Sequence, residues 1–165
     1  MMKNQIKNYF LFLFLISQLS FAQNKTTTIY FIRHAEKVDS SKNPDLSTFG
    51  LERAAHWSEI FSDIPFDAIY STDFTRTKQT AAPTAANKKI DITIYDAKNI
   101  DFQKFKTDNL GKTVLVVGHS NTIPDFVNKL INQDVYSNIE DKTFGNLYIV
   151  TLNGDIINHL LLKSL

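Results

Sequence analysis

The chain has 165 residues, 18 Lys and Arg against 17 Asp and Glu, a net charge of +1 and no cysteine. That length holds one domain with a real core and is too short for two ordinary ones. The lack of cysteine excludes disulfides, thiolate metal sites and a lipid-modified cysteine anchor. Balanced charge without a basic stripe argues against nucleic-acid binding, which rests on clustered Lys and Arg meeting phosphates.

The first residues read as a leader rather than as part of a fold. Lys3 and Lys7 form a short basic start with no acid, and Tyr9–Leu19 is an apolar run. Ser20-Phe21-Ala22 then places small residues at the two positions a signal peptidase reads. The apolar run is shorter than the roughly 18–20 residues of a spanning helix, so the expectation is cleavage rather than anchoring. Residues 1–22 are thus expected to be a signal peptide and 23–165 the domain. The domain would be exported, periplasmic or secreted, with no stable membrane insertion after cleavage. Losing two lysines and no acid turns the net charge negative.

Strand and helix signals then alternate. Ile29–Arg33 is β-branched and aromatic, the mark of a strand. Leu46–Phe61 carries apolar residues at helical spacing, with Ser47 or Thr48 able to cap its start and Pro65 soon after its end. Phe66–Tyr70 reads as a second strand. Thr72 or Asp73 can cap the Ala-rich helix that follows, through about Ala86, with Pro83 positioned to kink or split it. Ile90–Tyr95 alternates as a third strand, and Asp101–Thr107 reads as a short helix. Thr113–Gly118 is a continuous apolar run, as in a strand buried on both faces of a sheet. Ile123–Ile131 is helical, Pro124 being tolerated in its first turn. Asn146–Leu152 and Asp155–Leu162 are joined by Asn153-Gly154, a strong hairpin signal.

The order βαβαβαβαββ predicts an α/β fold. The expected architecture is a three-layer α/β/α sandwich around a mainly parallel, mixed sheet that ends in a β-hairpin. Ligands of open α/β sheets bind beyond the carboxyl ends of the strands. His34 follows the first strand, Ser71 closes the second and His119 follows the buried one. All three should face one crevice, which Arg76 can join from the helix after Ser71.

These residue types suit a phosphoryl group, which spreads up to two negative charges over three peripheral oxygens. Arg33 and Arg76 offer planar, permanently charged forks for such oxygens. A neutral imidazole is a nucleophile near pH 7 without a separate base. Attack by His34 would give a phosphohistidine that water then hydrolyses, with His119 a further donor to the phosphoryl oxygens and Ser71 a candidate substrate ligand. With this many fixed positive groups, no metal ion or other cofactor is required. The leaving oxygen needs a proton, so a carboxylic acid is expected nearby.

Four stretches carry a resemblance. Arg33-His34-Ala35-Glu36-Lys37 resembles the Arg-His-Gly/Ala signature of the histidine phosphatase superfamily, in its phosphoglycerate-mutase-like branch. Leu46–Ala54 is similar to that branch's Leu-Thr-x-x-Gly-x-x-Gln-Ala helix start. Ile69–Ala81 is similar to its Ser-x-x-x-Arg-x-x-Gln-Thr-Ala segment, and Val116–Ser120 to its second-histidine strand. Order and spacing agree over about residues 28–160. The resemblance implies a phosphoglycerate-mutase-like fold, His34 as the phosphorylated nucleophile, and Arg33, Arg76 and His119 as the rest of the phosphate pocket. In many members the acid is a glutamate after the third strand. Here that stretch, Tyr95–Asp101, has none, which leaves Glu36, Asp96 and Asp101 as candidates.

The expected activity is an exported phosphomonoesterase acting on a small phosphorylated substrate. Three other readings compete with it. Phosphate transfer between hydroxyls is the family's second activity, and a phosphate-binding module without turnover is a non-enzyme reading. Gly118-His119-Ser120-Asn121-Thr122 resembles the Gly-x-Ser-x-Gly elbow of serine esterases, with Ser120 as nucleophile and His159 as base, but Thr122 stands where the turn wants glycine. His34-Ala35-Glu36 matches the start of a zinc-deaminase motif whose cysteines are absent. His56 and His159 belong to no motif and are expected to be structural.

Overall fold

The structure, a computed structural model, describes residues 25–164. The predicted leader, residues 1–22, lies outside them. Six strands form one sheet: β1 (Thr27–Arg33), β2 (Ala68–Ser71), β3 (Ile92–Ile94), β4 (Thr113–Gly118), β5 (Asn146–Asn153) and β6 (Ile156–Lys163). Their spatial order is β3-β2-β4-β1-β5-β6. The pairs β1–β4, β2–β4 and β2–β3 are parallel, and β1–β5 and β5–β6 antiparallel. Between the strands run α1 (Thr48–Ile60), α2 (Thr75–Lys88), α3 (Phe102–Asp108) and α4 (Thr122–Ile131).

Side-chain alternation along the central strands builds two cores. Val114 and Val116 join Phe31 in the core closed by Phe105 of α3 and by Phe126 and Leu130 of α4. Leu115 and Val117 point the other way, joining Ile32 and Ile69 beneath Trp57 of α1 and Ala81 and Ala85 of α2. The result is the expected three-layer sandwich. A central strand with a core on each side has no polar face, which is why β4 reads as an unbroken apolar run.

Several boundaries differ from the sequence reading, each for a local reason. Of the two possible caps for α1, Ser47 is used, its Oγ accepting from Gly50 N at 3.1 Å. Neither Thr72 nor Asp73 caps helix α2, which starts at Thr75 after an extended Phe74; the Thr72 hydroxyl is engaged instead in a hydroxyl chain described below. Pro83 is carried inside one helix and does not split it. Strand β3 shortens to three residues, having only β2 to pair with. In the terminal hairpin Asn153 pairs with Ile156, so the turn residues are Gly154 and Asp155 rather than Asn153 and Gly154. Gly154 has φ +60° at the first turn position, where a type II′ turn places glycine. Among the described residues, no helix is long and apolar enough to cross a membrane.

Candidate active site

Parallel pairing brings the carboxyl ends of β1, β4 and β2 to one rim of the sheet. Arg33 lies in register with Gly118, and Ser71 with Val117. The chain leaving each strand is stitched to its neighbour: His34 N donates to Gly118 O at 2.8 Å, and Thr72 N to Val117 O at 3.4 Å. This fixes where His34, Thr72 and His119 emerge. Arg76 joins them from the first turn of α2.

The tautomer of His34 follows from one contact. Its Nδ1 lies 2.7 Å from Ala35 O. A carbonyl only accepts, so Nδ1 carries the proton and the lone pair stays on Nε2. Burial, then the charge of Arg33, the ring of His119 and the charge of Arg76, push the His34 pKa from 6.5 to about 3, against the opposing pull of the Ala35 carbonyl. The ring is therefore neutral at physiological pH.

His119 is fixed by a longer chain of donors. Arg76 Nη2 can only donate, so His119 Nδ1, 3.3 Å away, accepts. His119 Nε2–H then donates to Thr72 Oγ1 at 2.9 Å, Thr72 donates to Thr77 Oγ1 at 3.0 Å, and Thr77 donates to the Phe74 or Thr72 carbonyl, each at 2.9 Å. Burial first, then Arg76 and Arg33, lower the His119 pKa to about 4. The two imidazole centroids are 5.5 Å apart.

Each guanidinium lies over an aromatic ring, which favours the cation and fixes its plane. Arg33 Cζ is 4.3 Å from the centroid of Phe144, and Arg76 Cζ is 4.4 Å from that of Phe74. Arg33 Nη1 donates to the carbonyls of Glu140, Asp141 and Thr143 at 2.9, 3.1 and 3.0 Å, tying the segment before β5 to the rim. Arg33 Nε and Arg76 Nε are buried and have no hydrogen-bond partner. Buried charged donors without acceptors are costly. The charges of Arg33 and Arg76 act on each imidazole, and that of Arg76 on Arg33, so the four side chains share one electrostatic environment.

The candidate acids do not gather at this point. Glu36 is held by Arg53, with Nε at 2.9 and 3.0 Å and Nη2 at 2.8 Å, and it borders a separate hollow beside Phe49 and His56. Asp101 caps α3, accepting from Lys104 N at 2.9 Å. Asp96 does line the hollow next to His119, but its oxygens accept from Lys98 N and Asn99 Nδ2, and these bonds lower its pKa. Ser71 is fully buried and its Oγ donates to Thr72 O at 2.9 Å, so Thr72 rather than Ser71 presents its hydroxyl at the rim. His56 faces Glu59 within its own helix. His159 Nδ1 meets Tyr136 Oη at 2.8 Å on the outermost strand, and no hydrogen bond joins it to Ser120, so the esterase pair is not assembled. Among the described residues, no three His, Asp or Glu side chains come together to hold a metal ion.

Sequence reasoning missed Thr72, Thr77, Phe74, Phe144 and the three carbonyls on Arg33. A hydroxyl directly after a strand end was the one available signal, at Thr72. Phe144 lies in an irregular segment with no period to read.

The sequence profile of the histidine phosphatase superfamily (branch 1) matches residues 29–106, which contain Arg33, His34 and Arg76. Over those residues the chain matches this family. Its solved relatives carry the same fold over nearly their full lengths. Bacillus stearothermophilus YhfR superposes with a TM-score of 0.69 at 14% identity, covering 84% of this chain and 98% of that one. The α-ribazole phosphatase of Shigella flexneri gives 0.65 at 13%, covering 83% and 96%. Phosphoglycerate mutase from Bacillus anthracis gives 0.64 at 13%, covering 86% and 94%. No curated protein sequence matches. Members of the family act as phosphatases or phosphomutases on small phosphorylated substrates.

Proposed function

We propose that this protein is a phosphatase of the histidine phosphatase family that hydrolyses small phosphate monoesters through a phosphohistidine on His34. The observation that carries this reading is the pair of unpartnered buried guanidinium donors, Arg33 Nε and Arg76 Nε, beside the neutral imidazoles of His34 and His119. His34 Nε2 supplies its lone pair to phosphorus while the bond to the ester oxygen breaks. Arg33 and Arg76 offset the charge on the peripheral oxygens. Water then attacks the phosphohistidine, the P–N bond breaks, and neutral His34 is regained as phosphate leaves. Glu36, Asp96 and Asp101 are each engaged elsewhere, so solvent in the open hollow beside His119 protonates the leaving oxygen.

The test is turnover of a generic aryl phosphate by the purified protein. His34→Ala is expected to lose at least about a thousandfold in kcat, and rapid alkaline quench followed by mass spectrometry should find the wild-type phosphoryl group on His34. Equal rates in both proteins end the proposal. Phosphate release rather than transfer to an added alcohol separates phosphatase from phosphomutase. The same reading takes residues 1–22 as an export leader, so terminal sequencing of the protein recovered outside the cytoplasm should begin at Gln23. A retained Met1 there overturns that part.

A further inference from the structure

The hollow that opens from His119 and Arg76 has a volume of about 480 Å³ and two different ends. One end is the cationic rim already described. The rest of the lining is mostly carbon, from Ile94, the ring of Tyr95 and Ala97, with Phe74 beneath Arg76 and against His119, and with Asn121 and Thr122 as its uncharged polar members. Tyr95 turns its polar end away. Its hydroxyl is buried beneath Gly118, where an added methyl would come within 2.8 Å of it, so the hollow meets only the ring. The acids on the lining are occupied as well. Asp73 accepts from Lys78 Nζ at 2.7 Å, and Asp96 accepts from its own loop at 2.9 and 2.7 Å. Lys98 stands exposed at the rim. Ile94 remains 48% exposed, an apolar side chain left in water beside a charged site.

We propose that this hollow receives the alcohol part of the substrate and selects phosphate monoesters of apolar, ring-sized alcohols over those of small polyhydroxylated ones. The proposal rests on the phosphatase reading for its phosphoryl end and adds the class of leaving group. An apolar group here buries its own surface and that of Ile94 and Phe74. A polyhydroxylated group would set its hydroxyls against carbon and lose the water they bound.

The decisive experiment uses non-hydrolysable phosphonates, so that binding is read apart from chemistry. Calorimetry on the full chain is expected to give a Kd for 2-phenylethylphosphonate at least about tenfold below that for ethylphosphonate. Ile94→Asp, a change at an exposed site, is expected to narrow that ratio below about threefold. Kinetics with 2-phenylethyl phosphate, ethyl phosphate and glycerol 1-phosphate, whose leaving groups are all simple alkoxides, should show the same order in kcat/KM. Equal Kd values for the two phosphonates, or an unchanged ratio in Ile94→Asp, overturn the proposal while leaving phosphatase activity intact. Selective phosphonate binding without His34-dependent turnover of any ester supports the apolar site and defeats the phosphatase reading instead.

Discussion

Thr72 acts at the site through His119. As the acceptor for His119 Nε2–H, it holds the ring so that Nδ1 faces Arg76. Valine keeps the shape of threonine but removes the acceptor, freeing the ring to rotate or change tautomer. Thr72→Val is expected to lower kcat/KM about tenfold, and Thr72→Ser to restore most of it. Recovery by serine distinguishes positioning from packing, since serine keeps the hydroxyl and loses the methyl. His119 makes a second prediction at this scale. Its pKa near 4 reflects burial and the two guanidiniums, and a bound dianion offsets that positive charge. Anion binding must then raise the His119 pKa and draw in a proton. Sulfate stays a dianion over this range, so its affinity should rise as pH falls from 7 to 5. Calorimetry in buffers of different ionisation enthalpy should detect proton uptake. A pH-independent sulfate affinity would contradict the assigned electrostatics.

Gly50, in the first turn of α1, shows how an element is seated against the site. A methyl there would run into the Glu36 carbonyl, two residues past His34. That carbonyl also accepts from Ser47 N at 2.9 Å, so the helix start and the loop after the nucleophile form one unit. Gly50→Ala is expected to cost about 1–3 kcal/mol in urea unfolding and to reduce turnover, because backbone rather than a flexible side chain must give way. Normal stability with normal activity would show that the loop yields freely. The loop is also pinned to α2: Asn43 exchanges two hydrogen bonds with Thr75, and Gln79 bridges Leu46 N and Asp45. Elements of this kind were legible in the sequence where one physical rule dominated. Strand β4 was read at its observed bounds because burial on both faces leaves only apolar residues. Arg33, His34 and His119 stood out at strand ends, and Arg76 in the helix that follows Ser71. The clamp of the 140–143 carbonyls on Arg33 was not legible, since backbone acceptors carry no residue code. The fate of Glu36 was not legible either, because its partner Arg53 reads in sequence as a solvated helix position.

At the scale of the whole molecule, the fold gathers its charge conflict at one rim of the sheet. Two imidazoles, two guanidiniums and the ends of three parallel strands meet there, and a core lies on each side of the strands beneath. Such a site is built for an anion and costs stability without one. The pH dependence gives that cost a sign. His34 falls from 6.5 to about 3 and His119 to about 4 on folding, so between those values and 6.5 the unfolded chain binds more protons than the folded one. Stability must therefore fall as the pH drops from about 6.5 toward 4, as protonation of the unfolded state pulls the equilibrium. Urea midpoints measured at pH 7 and pH 4.5 should show this loss. His119→Asn, which cannot titrate, should reduce the loss, and saturating sulfate should reduce it further by binding only the folded chain. A midpoint that rises on acidification, or a loss unchanged by both interventions, would mean that the two rings are not held neutral in the folded protein.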